Sequence, residues 1–302
     1  MSAAGLKTLA PGVHAWIGAG GDSNAGAIET PHGLLVVDAQ QSQELGESLR
    51  AALTAATGMP IWALVNTHYH LDHVAGNAAF ADVPIIGHEK TLAALTAELG
   101  SGQYGATAVT DPMAKIRLFF GSNFDDLVPE AERTWFLQRV GGSAPVTIVP
   151  PSIIFADRLE VRLPSDVARM EYWSPAHCDS DVVIWLENAG VIFLGDLCFH
   201  GRFPWFGDCD LDGWIRTLDR VLTMKVRIVI PGHGPPATLR EVAQFRALLA
   251  DLREAVRGAL RAGLTEAAAA REIALPQYAG MPRYKEWMAY NVRSAYRYLC
   301  RR

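Results

Sequence analysis

The chain is short of cysteine: Cys178, Cys198, Cys209 and Cys300 are the only four in 302 residues, and no two make a C-x-x-C pair. That number and scatter exclude a disulfide scaffold and a ribbon-type structural zinc site, so reduced, packed thiols are expected. Long hydrophobic runs are missing as well. No stretch approaches the ~20 apolar residues that cross a bilayer, and the opening Met-Ser-Ala-Ala-Gly-Leu-Lys-Thr has no apolar leader core. The expectation is a soluble, cytoplasmic protein without a membrane partner. Positive charge is also scarce, with 27 Lys and Arg against 32 Asp and Glu and a net charge of −5. No nucleic-acid partner is expected on that balance, and the group Arg293, Arg297, Arg301, Arg302 reads as a solvated helix face. There is no Pro/Ser-rich linker and no low-complexity tract. With 50% of its residues hydrophobic, the chain is expected to form a single domain over 1–302. Nothing in the sequence sets the oligomeric state.

What is present is histidine, and it is concentrated. His68-Tyr69-His70-Leu71-Asp72-His73 brings three imidazoles and a carboxylate into one turn. That donor set suits zinc, iron or manganese better than magnesium or calcium, which prefer oxygen. The motif follows the apolar run 61–65 and Asn66-Thr67, so it stands where a buried strand gives way to a loop.

Short β-branched runs alternate with helical spacing along the chain. Strands are expected at 13–17, 25–28, 33–37, 61–65 and 83–86, and again at 146–149, 159–163, 169–173, 182–186, 191–194 and 226–230. Helices are expected where Leu45, Leu49, Leu53 and Leu92, Leu95, Leu99 recur, and over 211–224, 239–262, 264–274 and 284–300. Residues 100–145 change character, with Gly, Ser and Pro punctuating amphipathic pieces that carry Phe119, Phe120, Phe124, Trp135 and Phe136. They read as a helical insertion over the sheet, either a lid on a pocket or a small core of its own.

Several apolar runs end in a possible ligand. Leu34 to Val37 ends in Asp38, and Ala63 to Val65 leads to His68 and His70. Met170 to Trp173 leads to His177, Ile192 to Gly195 ends in Asp196, and Ile228 to Gly232 ends in His233. Function in α/β sheets collects beyond the carboxyl ends of strands, so these positions read as one ring of ligands.

In this order and spacing the segments resemble the metallo-β-lactamase superfamily of metal-dependent hydrolases. The match runs from about Val13 to Pro235. It comprises Asp38, His68-x-His70-x-Asp72-His73, Ala176-His177 with Asp181 four residues on, Gly195-Asp196, and Pro231-Gly232-His233-Gly234. The resemblance implies an α/β fold, a four-layer αβ/βα sandwich with its core over 13–235, the insertion around 100–145 and a helical extension over 236–302. It implies two metal ions, zinc with iron or manganese as alternatives. His68, His70 and His177 would hold one ion, and Asp72, His73 and His233 the other. Asp196 would bridge them, and Asp38 and Asp181 would orient the ligands from behind. Two such cations about 3.5–4 Å apart bring the pKa of a shared water toward ~7, with Asp72 as the catalytic proton relay. Cys178, beside His177, lacks an oriented base and is not the expected nucleophile.

The expected activity is therefore dinuclear metal-dependent hydrolysis of an activated carbonyl (lactone, thioester or amide) in a small or medium-sized, partly apolar molecule. Asp196 favours the glyoxalase-II-like and lactonase-like branches, because common zinc β-lactamases have Cys or Ser there. One alternative is a mononuclear non-haem iron dioxygenase acting on persulfide, which the presence of His233 argues against. Another is a ligand-binding regulator, which the full ligand set argues against. His177-Cys178-Asp179-Ser180-Asp181 departs from the common His-Thr-Pro-Gly-Asp form, which weakens any transfer of substrate preference. Expected substrate contacts are His200, Trp205 and Phe206 beyond Asp196, with Phe119 and Phe120 from the insertion. No lysine or arginine stands out as an anchor for an anion.

Overall fold

A computed structural model describes residues 5–99, 105–138 and 144–301. The run Leu34-Leu35-Val36-Val37 shows why the fold is layered. All four are buried, as a strand covered on both faces requires. Leu35 and Val37 turn toward a core shared with Ala168, Met170, Ile184 and Phe193 of a second sheet. Leu34 and Val36 turn the other way, onto Leu49 and Leu53 of α1 (Gln43–Thr57). The two-residue side-chain period of a strand sorts the sequence into these layers.

The first sheet has seven strands, ordered β1 (Gly5–Ala10), β2 (Val13–Ile17), β3 (Ala25–Thr30), β4 (Gly33–Val37), β5 (Ile61–Val65), β6 (Ile85–His88) and β9 (Ile153–Phe155). It is antiparallel up to β4 and parallel from β4 onward. The second has five: β10 (Arg158–Arg162), β11 (Val167–Tyr172), β12 (Val182–Leu186), β13 (Val191–Phe199) and β14 (Ile228–His233). Only β13 and β14 run parallel. Its outer residues Val183, Ile192, Leu194 and Val229 pack on α7 (Leu211–Leu222), α8 (Leu239–Arg261) and α10 (Tyr284–Cys300) through Trp214, Leu218, Leu249 and Val292. The order helix, sheet, sheet, helix is the four-layer sandwich. Helix starts are marked by Ser42, Asp210 and the Thr238–Glu241 capping box, each satisfying a backbone N–H that the helix leaves unpaired.

Differences from the sequence reading have local causes. β1 is a half-exposed edge strand without a strong apolar run, and β9 spans only Ile153–Phe155; neither was foreseen. Residues 146–149 do not join a main sheet: β8 (Val146–Ile148) pairs with β7 (Thr107–Val109). The last strand shifts from 226–230 to Ile228–His233, so His233 is itself a strand residue.

The insertion contains α4 (Pro112–Phe120), α5 (Phe124–Leu127) and α6 (Arg133–Phe136); residues 100–104 and 139–143 lie outside the described residues. Its Phe120, Phe124 and Phe136 join the core beneath the helices, and Phe136 meets Tyr290 of α10 with ring centroids 5.5 Å apart. Among the described residues no helix is long and apolar enough to cross a membrane.

Candidate metal centre

The centre forms beyond the ends of β4 and β5, against Asp196 within β13 and His233 at the end of β14. Past β5 the chain runs through Asn66 and Thr67 to His68, and His70 opens the short helix α2 (Leu71–Val74), whose single turn carries Asp72 and His73. Asp38, just past β4, takes a left-handed backbone with φ 58. For a residue other than glycine that conformation costs about 1–3 kcal/mol and persists only where neighbours impose it. The neighbours are clear. Asp38 Oδ1 accepts the Thr67 backbone N–H at 2.8 Å, and Oδ2 accepts the Thr67 hydroxyl at 2.8 Å and lies 2.9 Å from His73 Nδ1. Because the Thr67 hydroxyl donates to Asp38, it accepts from His68 Nδ1, 3.0 Å away. One buried carboxylate thus orients two imidazoles, pointing Nε2 of each toward the centre.

The expected ligands come together as two buried groups. In His68, His70, His177 and Asp196 the prospective ligand atoms lie within 4.8 Å of one another, and the same holds for Asp72, His73 and His233. Asp196 faces both: Oδ2 lies 3.7 Å from His177 Nε2, while Oδ1 lies 3.1 Å from His73 Nε2 and 3.4 Å from His233 Nε2. His233 Nε2 is also 3.2 Å from Asp72 Oδ2. The Nε2 atoms of His68 and His70 are buried without a hydrogen-bond partner, a condition that costs about 1–3 kcal/mol per group unless something binds there. Nitrogen donors with carboxylates between them fit divalent zinc, iron or manganese. Space is tight. A Cβ at Gly232 would lie 1.9 Å from Asp196 Oδ1, so only glycine lets the β14 backbone approach that carboxylate.

Asp181 stands behind His177. Its Oδ1 is 3.5 Å from His177 Nδ1, and its Oδ2 accepts the Cys178 N–H and the Ser174 hydroxyl, each at 2.9 Å. Burial, and next the Asp181 charge, push the Cys178 thiol well above its ordinary pKa, which favours a neutral, packed thiol there.

Electrostatics divide the histidines. Burial, and next His73, hold His68 well below its ordinary pKa; burial, and next His177, lower His70 to about 4. Burial also opposes charge on His73 and His233. At His73 it is outweighed by Asp196, Asp72 and Asp38, and at His233 chiefly by Asp196, so both are raised. For Asp72 and Asp196 burial alone would raise the carboxyl, yet His73 and His233 hold both below the usual range, Asp196 well below. The carboxylates thus create a field that stabilises positive charge at this spot.

Beside the centre opens a cleft of about 450 Å³ reached by Asp72 and His233 and walled by Phe119, Phe120, Trp135 and Trp287. Phe119 and Phe120 therefore stand where substrate contact was expected. Trp205 and Phe206 do not. Both are buried: the Trp205 indole N–H donates to the Phe120 carbonyl at 2.6 Å, and the Phe206 ring packs 5.3 Å from Trp214. His200 borders a different groove, with Phe199, Glu241 and Phe245, and its Nδ1 lies 3.0 Å from the Pro235 carbonyl.

Arg202 and Arg283, neither of which stood out in the sequence, line the cleft, their guanidinium carbons 4.8 and 5.8 Å from the Trp287 ring centroid. Arg202 lies six residues past Asp196, in the stretch already singled out. Arg283 and Trp287 come from the start of α10, and no local pattern ties them to the site.

Comparison with known proteins agrees with this geometry. The family model described as the metallo-beta-lactamase superfamily matches residues 18–233. The linear primary-alkylsulfatase of Pseudomonas sp. (strain ATCC 19151) is 22% identical over 223 residues, 71% of this chain and 42% of that protein. The 2,4-dinitroanisole O-demethylase subunit alpha of Nocardioides sp. (strain JS1661) is 24% identical over 242 residues, 79% of this chain and 60% of that one. The matched part is thus 42% and 60% of the length of these curated relatives. Among solved structures, the stereoselective inverting sec-alkylsulfatase Pisa1 from Pseudomonas sp. superposes with a TM-score of 0.69 at 18% identity, covering 97% of this chain and 50% of that one. A metallo-beta-lactamase from Pontibacter korlensis gives 0.60 at 18% identity, covering 82% and 99%. At such identities the structures speak for the fold alone.

Proposed function

The chain belongs to the metallo-β-lactamase superfamily, and on that premise we propose that it is a metal-dependent hydrolase of small or medium-sized, partly apolar molecules. The observation that carries this reading is Asp196, buried and shared between the two ligand groups, with the cleft opening beside them. A pair of divalent ions, zinc in this proposal, would supply a water of lowered pKa and a Lewis acid for the scissile group. The chain's own residues do the rest. His68, His70, Asp72, His73, His177, Asp196 and His233 are the proposed ligands, with Asp38 and Asp181 orienting them. Asp72, which reaches the cleft, can take the proton of the attacking water and return it to the leaving group. Phe119, Phe120, Trp135 and Trp287 offer an apolar wall that holds the body of the substrate and excludes bulk water.

The first substrate class proposed is an activated carbonyl: a lactone, thioester or amide. A second is an anionic ester such as an alkyl sulfate, favoured by Arg202 and Arg283 in the cleft and by the alkylsulfatase among the relatives. The test is metal analysis of the purified protein followed by turnover of chromogenic lactones, thioesters, amides and aryl sulfates with and without a chelator. About two ions per chain and chelator-sensitive hydrolysis of one class are expected. A protein that retains no metal, or hydrolyses none of these after metal is restored, would overturn the reading.

A further inference from the structure

We propose that Arg202 makes the two cation sites unequal, so that the group His68, His70, His177, Asp196 fills first and the group Asp72, His73, His233 holds its ion far more weakly. The inference rests on the metal-dependent reading above and adds an order of loading.

Three of the histidines have an acceptor behind Nδ1. His68 has the Thr67 hydroxyl at 3.0 Å, His73 has Asp38 at 2.9 Å, and His177 faces Asp181 at 3.5 Å. An acceptor at Nδ1 keeps a proton on that nitrogen and leaves the Nε2 lone pair forward for an ion. His233 is built the opposite way. Its Nδ1 lies 3.0 Å from Nη1 of Arg202. A guanidinium has donors only, so Nδ1 accepts, and the ring proton belongs on Nε2, which points at Asp72 Oδ2 (3.2 Å) and Asp196 Oδ1 (3.4 Å). An ion at Nε2 must expel that proton while Nδ1 still faces a donor.

Charge acts in the same direction. A half-buried guanidinium directly behind the ring repels a dication in front of it, and its position at the cleft wall leaves that repulsion only partly screened. Nor does the arrangement relax easily. Phe199 stacks on the His233 ring with centroids 5.1 Å apart and planes 12° apart, and Arg202 is packed over Trp287 at 4.8 Å. Among the described residues no guanidinium or ammonium is hydrogen-bonded to the first group, which consists of three imidazoles and the Asp196 carboxylate.

The test is a titration of metal-stripped protein with zinc against a chromophoric competing chelator, with bound metal counted after dialysis. The wild-type chain should take one ion tightly and a second about 10–100-fold more weakly, the range that partners behind a ligand command. Arg202→Gln, whose amide oxygen can accept from Nδ1–H, should narrow that gap about ten-fold or more while leaving the first constant unchanged. Two ions of equal affinity in the wild-type chain would overturn the proposal whatever the variant does, and so would an unchanged gap in a variant with a native circular-dichroism spectrum. If the variant does not fold, the wild-type ratio decides. Failure to bind any zinc would instead overturn the hydrolase reading itself, an outcome distinct from equal binding.

Discussion

Asp38 Oδ2 lies 2.9 Å from His73 Nδ1 while the same side chain receives both the N–H and the hydroxyl of Thr67, so a residue outside the ligand ring aims two of its imidazoles. Asp38→Ala should lower zinc affinity about 10–100-fold and destabilise the fold by about 1–3 kcal/mol, because Thr67 N–H and His73 Nδ1 are left buried without an acceptor. Metal titration and urea unfolding check the two effects separately. Unaltered zinc binding would remove Asp38 from the site.

Gly232 should tolerate no side chain. In Gly232→Ala the new Cβ starts 1.9 Å from Asp196 Oδ1, so either the carboxylate or the β14 backbone must move. Overpacking of this kind costs about 1–3 kcal/mol. The displaced Asp196 should also cost most of the bound metal. A variant with normal metal content would show that Asp196 does not need this position.

His70→Ala and Asp196→Ala each remove a member of the first ligand group. Both should abolish turnover of any substrate found by the panel while leaving the far-ultraviolet circular dichroism near wild type. Retained turnover in either variant would contradict the site assignment.

The pH dependence of the metal-stripped protein follows from the buried imidazoles. Burial lowers His70 to about 4 and holds His68 well below its ordinary 6.5. Between those values and 6.5 the unfolded chain binds more protons, so stability should fall as pH drops from about 6.5 toward 4. His73 works in the other window: its raised value adds stability that is lost only as pH climbs through that folded value. Urea midpoints should therefore drop between pH 7 and pH 5, and drop less in His70→Gln. Identical pH dependence in the two proteins would show that His70 is not the titrating group.

Arg283 reaches the cleft but not the ligands, so its substitution separates binding from chemistry. Arg283→Gln should raise KM for anionic esters about ten-fold, or 1.4 kcal/mol, with kcat and neutral substrates little changed. Equal effects on charged and neutral substrates would remove the anion preference from that side chain.

The fold was largely legible because its pattern is local. Alternation in β4 and β5 and the helical recurrence of Leu45, Leu49 and Leu53 each read out within a dozen residues, and they mark which faces need cover. β1 escaped because an exposed edge strand needs no continuous apolar run, and β9 because its apolar run is only three residues long. Trp205 and Phe206 misled because aromatics near a ligand look the same whether they face a cleft or a core. Their burial was decided by contacts such as Phe120, Trp214 and Asn291, more than 80 residues distant for all but Trp214.

By itself, then, the chain singled out the proposed ligand residues and the apolar runs that lead to them, since a dense H-x-H-x-D-H turn and a His or Asp following an apolar run are short-range features. Only the tertiary structure decided what surrounds them. Arg283 and Trp287 reach the cleft because α10 packs against the same core as β13, and Arg202 stands behind His233 because the β13 and β14 ends converge. Such meetings are set by packing between distant elements, and no periodicity in the sequence encodes them.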